Sequence, residues 1–145
     1  MRYSHKLSDA VHILAYIEIY HDDDLSSTAI ARSVESNPGL VRRLMAALRT
    51  AGLLATQRGT ATPEVTRDPT DISLLDIYRA VETDDNLLHV DDKTNPQCIV
   101  GGNIQETLRE AYATVQAAAE AQMASITLAS LIADIWQREQ QKTQA

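Results

Sequence analysis

Apolar positions near the start of the chain recur at intervals of three and four. Leu7, Ala10, Val11, Leu14 and Ile17 fall on one side of a helix over about residues 4–20, the periodicity of a half-buried helix. The polar run "HDDD" at 21–24 breaks it. A shorter stripe, Ile30 and Val34, follows in "LSSTAIARSVESN". Ser26 or Ser27 can cap this second helix, with Leu25 as a hydrophobic staple. "SNPGL" ends it and starts a third, for which Asn37 is a good N-cap and Pro38 fits the first helical position. The third helix runs to about Thr50, and Gly52 suits a left-handed C-terminal cap. Within it, Val41, Leu44, Met45 and Leu48 stand at i, i+3, i+4 and i+7 and form the predicted buried stripe. Gly39, Arg42, Arg43, Ala46 and Arg49 lie on the other side.

Beyond Gly52 the period changes. "LLATQRGTATPEVTR" places β-type residues on both sides of a glycine-containing turn. It predicts a hairpin, Leu53–Gln57 with Pro63–Arg67, tipped by Arg58–Thr62. Pro63 fits a strand start or edge. Residues 68–85 read as helical again, with Ser73 as cap and Leu74, Leu75, Ile77, Tyr78 and Val81 as apolar contacts. Residues 86–100 form a loop. A long helix is predicted over about 103–139, with Ile104, Leu108, Ala111, Tyr112, Val115, Ala118, Ala119, Met123 and Ile126 in step. Ser125 or Thr127 can cap a second start and split it. A stripe this long cannot be covered by the first domain alone, so a partner chain is the simplest solution. The polar terminus "REQQKTQA" is expected to fray. The fold class is therefore mainly α with a small β-hairpin. A winged helix-turn-helix domain spans 1–82, a loop 83–102, and a dimerisation helix with its tail 103–145.

Composition narrows the function classes. The chain has 145 residues, 44% of them hydrophobic, with no Phe and a single Cys. That length supports a real core, and one cysteine excludes an internal disulfide framework. No apolar run approaches the ~20 residues of a membrane span. The N-terminal stretch has periodic apolar positions and no small-residue cleavage site, so a cytoplasmic protein without membrane attachment is expected. The four histidines, His5, His12, His21 and His89, are scattered, and no nucleophile, carboxylate pair, phosphate loop or dinucleotide glycine pattern accompanies them. An enzyme is not expected. His21 with Asp22, Asp23 and Asp24 has metal-ligand composition, but adjacent side chains diverge and no turn glycine follows, so no metal site is expected.

Charge then changes the picture. The formal net charge is −7, yet residues 28–67 hold six arginines against two acids, a local +4. Residues 71–145 alone carry −7. A basic patch on an acidic body points either to an anionic partner at one place or to a solvated helix face. Small residues alternate with the arginines on the third helix. A helix with slim flanks and guanidinium forks suits a DNA major groove; a solvated face more often mixes Glu with Lys. Arg58 and Arg67 can reach flanking phosphates from the wing.

With these segments in order, the chain resembles the IscR/NsrR/CymR-type winged-helix transcription regulators over nearly its full length. The resemblance is carried by "YSHKLSDAVHILAYI", "NPGLVRRLMAALRTAGLL", "ISLLDIYRAVE" and "NPQCIVGGNIQ". It implies a homodimer, joined through residues 103–135, that binds double-stranded DNA at a palindromic operator, usually as a repressor. Ser36, Asn37, Pro38, Arg42 and Arg43 would fall at the groove-facing start of the recognition helix. Thr28 would sit where the preceding helix meets phosphate, and Arg58 to Thr60 in the wing. Arg49, near the end of the third helix, is by position either a DNA-backbone contact or plain surface. Two departures stand out. The wing reads "GTATPEV" where the family is often glycine-rich. The family's cluster-binding members use three cysteines in the loop before the long helix, and here that loop has only Cys98. One thiolate cannot supply that ligand set, so no cofactor is expected and the chain sits with the cluster-free, single-cysteine branch.

Cys98 leaves two readings open. It is either a small buried apolar residue or a redox-sensing thiol activated by the helix that starts just after it, although Asp91 and Asp92 nearby oppose a thiolate. Control by thiol oxidation follows from the second reading; control by a small ligand is the alternative. The competing function is a winged-helix module whose arginine face docks an acidic protein without sequence-specific DNA binding.

Overall fold

A computed structural model describes residues 4–57, 59, 62–84 and 86–144. The first stripe forms α1 (Lys6–Ile19), with Ala10, Ile13, Leu14 and Ile17 buried. Two short helices, α2 (Ser27–Val34) and α3 (Pro38–Thr50), pack on it and on each other. α3 buries the predicted stripe of Val41, Leu44, Met45 and Leu48. It ends at Gly52, whose φ is +80°, while the Leu53 amide closes onto the Leu48 carbonyl at 2.9 Å. A left-handed residue here is accessible to glycine without the Cβ penalty.

The wing is shorter than the alternation predicts. β1 (Leu54–Thr56) and β2 (Pro63–Val65) pair antiparallel with Leu54 opposite Val65 and Thr56 opposite Pro63. Pro63 opens its strand, as its missing amide donor requires. Single hydrogen bonds carry the pairing one step further at each end, from Gln57 N to Thr62 O (2.7 Å) and from Thr66 N to Leu53 O (3.1 Å).

Residues 68–85 are not one helix. Asp68 caps a single 3-10 turn at Pro69–Asp71, and α4 (Leu74–Val81) starts afresh behind Ser73. Ser73 and Asp76 form a reciprocal capping box, each side chain accepting from the other's backbone amide (3.0 and 2.9 Å). The break leaves Ile72 extended and fully buried.

The long C-terminal helix divides at Ile126–Thr127 into α5 (Ile104–Ser125) and α6 (Leu128–Gln144). Thr127 caps the new start by accepting from the Ser130 amide at 3.0 Å. At this joint the chain pairs with the segment before α4. Leu74 N–H donates to Ile126 O and Leu128 N–H donates to Ile72 O, both at 2.8 Å. Leu128 is fully buried there with Ile72, and Ile132 packs against the same core. Burying such a side chain stabilises by roughly 1.5–3 kcal/mol. The polar terminus is helical as far as Gln144. α6 is composed largely of good helix formers and supported by Arg138–Asp134 and Lys142–Glu139 pairs. α5, by contrast, has no buried residue along its 22 positions. Arg79 holds it to α4 through Glu120 at 2.7 Å, and the Leu87 amide donates to Gln116 Oε1 at 2.9 Å. No helix of the described residues is long and apolar enough to cross a membrane.

Candidate nucleic-acid interface

Local capping assembles the helix-turn-helix. Ser26 Oγ accepts from the Ala29 amide at 3.2 Å to open α2. Glu35 ends it in a left-handed conformation, φ 57° and ψ 47°. The Ser36 amide then closes onto the Ala31 carbonyl at 3.0 Å. Asn37 Oδ1 accepts from the Leu40 amide at 2.7 Å, and Pro38 occupies the first helical position. The connection is therefore tight because a local cap at each helix end takes up one orphan backbone group within a few residues.

Burial decides which face of α3 is presented. With the apolar stripe turned inward, Arg42, Arg43, Ala46 and Arg49 are exposed. Gly39 lies between two guanidinium groups. A Cβ built on it would be 3.1 Å from Asn37 Oδ1, 3.8 Å from Arg43 Nη1 and 3.9 Å from Arg42 Nη2. Glycine therefore leaves room for the Asn37 cap and for both forks at the start of α3. Arg42 Nη1 also reaches Ser27 Oγ at 3.4 Å, at the start of α2, and Thr28 is exposed beside it. A cleft of about 290 Å³ joins Ser27, Arg42 and Arg49 to Pro63 at the base of the wing. Helix starts present unpaired amides and partial positive charge, so α2, α3 and the wing base converge on one basic surface suited to phosphate and groove edges.

Not every sequence candidate plays the same part. The Asn37 carboxamide oxygen is engaged as the α3 cap, and Ser36 and Pro38 are half-buried in the turn. Arg67 leans towards the Asp71 carbonyl at 3.4 Å. Arg32 belongs to a separate cleft with Asp23 and Asp24. Arg58 and Thr60 lie outside the described residues. Ser27 and Gly39 were not among the sequence candidates. Their signals were a hydroxyl beside Thr28 and a glycine in a helix between arginines. Replacing Gly39 with Leu is expected to weaken DNA binding by at least about tenfold, because the new side chain would crowd the guanidinium forks and a groove wall and its Cβ would press on the Asn37 cap oxygen at 3.1 Å. Fluorescence anisotropy with an unchanged circular dichroism spectrum checks this; undiminished affinity would remove Gly39 from the interface.

Cys98 is exposed, which corrects the reading of a buried apolar residue. The segment 95–103 is a run of turns, and Gly102 N–H donates to the Cys98 carbonyl at 2.8 Å. The thiol pKa is held below its ordinary value because the Gly101 and Val100 amides donate to the sulfur. Gly101 makes this possible: a Cβ there would lie 2.1 Å from the Asn95 carbonyl oxygen. A lowered pKa keeps the thiolate to lower pH, and the thiolate is the nucleophile. The pH profile of Cys98 alkylation by iodoacetamide is therefore expected to lie below that of the urea-unfolded chain. Gly101→Ala is expected to move it back up. Superimposable profiles for folded and unfolded protein would contradict the amide contacts.

The sequence pattern of the Rrf2 family, described as iron-dependent transcriptional regulator, matches residues 3–134. The chain is 42% identical over 123 residues to a Bacillus subtilis (strain 168) protein named as an HTH-type transcriptional regulator, YwnA, covering 85% of this chain and 91% of the relative. A crystal structure described as that of a DNA binding protein shares 38% identity with a TM-score of 0.69, covering 88% and 98% of the two chains. CymR of B. subtilis, described as the global cysteine regulator, superposes with a TM-score of 0.66 at 22% identity, over 92% and 97%; this likeness concerns the fold. The donor set here does not fit an iron site. The single cysteine is exposed, and no three His, Cys, Asp or Glu side chains among the described residues converge.

Proposed function

Because this chain belongs to the Rrf2 family of transcriptional regulators, we propose that it acts in the cytoplasm as a homodimeric repressor at a palindromic operator. Each α3 enters a major groove, with half-sites about one helical turn, ~34 Å, apart. Arg42 and Arg43 meet base edges and phosphate. Arg49, Thr28 and the wing residues Arg58 and Thr60 meet the backbone, with Ser36, Asn37 and Pro38 fixing the entry of the helix. One observation carries this reading: the face of α3 opposite its buried stripe exposes Arg42 and Arg43 beside the half-buried Gly39. The dimer, joined through residues 103–135, is supported by α5, whose 22 residues include none that is buried. Most of a helix's stability in a protein comes from packing an apolar face rather than from propensity. Domain boundaries at 82 and 102 follow the same division of labour. The lowered Cys98 pKa supports control by thiol oxidation, and a small ligand is the second route to control, taken up below.

Selection of bound duplexes from a random DNA pool tests the proposal. The expected result is an inverted repeat whose affinity falls steeply with salt as phosphate counterions are released. Failure to enrich any sequence at ~150 mM salt would assign the arginine face to an acidic protein partner instead.

A further inference from the structure

A second cavity, of about 560 Å³, lies between α1, α2 and the later part of α6. Its volume is within the range of small-molecule sites, roughly 300–1,000 Å³. Aromatic rings form much of its wall. Tyr16 and Tyr20 stand one turn apart on α1 with ring centroids 4.6 Å apart and planes tilted by 39°. Trp136 faces the same space from α6. Tyr20 and Trp136 are 46% and 49% exposed, so large ring faces remain uncovered by the described residues. Polar atoms are few: His12 Nε2 and Ser33 Oγ are hydrogen-bonded to each other at 2.7 Å.

The charge around these rings has one dominant sign. Past Tyr16, Tyr20 and Ser33 the cavity opens into a cleft bordered by Asp23 and Asp24, and Glu139 borders the other side. Arg32 is the basic side chain among the described lining residues, and its charge acts on Asp24. Lys142 approaches Glu139 at 3.7 Å, an exposed contact of little strength. Three carboxylates, Asp23, Asp24 and Glu139, outnumber the two cations Arg32 and Lys142 beside them, so an anion would meet net negative charge, and a neutral ligand would gain only apolar contact. A cation gains twice, from the negative faces of the rings and from the carboxylates. We propose that this cavity binds an organic cation with an aromatic or compact apolar body. Tyr16, Tyr20 and Trp136 would face the cation, and Asp23, Asp24 and Glu139 would balance its charge. Ser33, near the end of α2, the first helix of the helix-turn-helix, lines the cavity and is hydrogen-bonded to His12, so the occupied cavity acts on DNA affinity; that consequence rests on the operator reading above.

Trp136 is the chain's only tryptophan, which makes its fluorescence a direct readout. The full-length protein is titrated with benzyltrimethylammonium, with neutral benzyl alcohol and with phenylacetate at matched ionic strength. The expected result is saturable quenching by the cation at roughly tenfold lower concentration than by benzyl alcohol, and none by phenylacetate. Tyr20→Leu, and separately Asp23→Asn with Glu139→Gln, each alter exposed side chains and are expected to weaken the cation roughly fivefold or more with an unchanged melting temperature. Equal binding of the neutral compound, or no saturable quenching, overturns the proposal. So does a Trp136 shielded from acrylamide in the unliganded protein at every concentration, which would give the cavity to a second copy. Saturable quenching with unaltered operator affinity would keep the site and overturn its effect on DNA. Absence of any operator complex would instead overturn the operator reading and leave the fluorescence result standing.

Discussion

Replacing Arg42 and Arg43 together with alanine is expected to reduce operator affinity by about a thousandfold or more. Each guanidinium on a recognition helix contributes roughly 1–3 kcal/mol of binding. The proposed dimer presents four of them. The lower limit of the sum, about 4 kcal/mol, already corresponds to about three decades in Kd. Stability should barely move. Both side chains are exposed, and the 3.4 Å contact of Arg42 with Ser27 is on the surface; surface changes of this kind usually stay within about 0.5 kcal/mol. Anisotropy titration at fixed salt measures the loss, while thermal melting and gel filtration confirm an intact fold and assembly. A double variant that binds within about threefold of the parent would remove α3 from the groove. Arg49→Ala should act differently. As a backbone contact it is expected to weaken all sequences alike and to lower the salt slope by about one.

The second large effect is expected at Leu128→Ala. Leu128 is completely buried where α6 begins, and its amide is bonded to the Ile72 carbonyl. Removing three buried carbons from a packed site costs roughly 2–5 kcal/mol, depending on how far the walls collapse. A domain's whole stability is about 5–15 kcal/mol. The melting temperature should fall by about 5–15 °C, taking roughly 2–4 °C per kcal/mol at this size. Differential scanning calorimetry checks this. A fall of under about 2 °C would show that the start of α6 is not part of the core.

Short-range rules made much of this fold legible. Ser26, Asn37, Ser73 and Gly52 act as the predicted caps because a capping group finds its amide or carbonyl within three to five residues. The α3 stripe was legible for the same reason: 3.6-residue periodicity settles its register without reference to the rest of the chain. What was not legible depends on distant partners. Nothing near Leu128 announces Ile72, more than fifty positions earlier, as the residue it pairs with. Arg32 and Arg67 counted towards the basic patch, yet each has a partner close in sequence, Asp24 and the Asp71 carbonyl, that a count of charges does not weigh. Cys98 looked equally suited to a core or a surface because its exposure depends on how 95–103 turns. Gly101 and Gly102 were the available clue, since paired glycines allow backbone to approach backbone.

The paired segment at Ile72 and Leu128 separates two kinds of inheritance. In the proposed dimer, the letters of a half-site are read by α3, whereas the distance between half-sites is set by how α5 and α6 leave the core at this joint. Changes on the exposed face of α3 can then retarget the protein without altering the spacing. Changes at Ile126 or Thr127 can alter the spacing without touching a base contact. Divergent relatives built on this joint should accordingly differ in operator sequence more readily than in operator length.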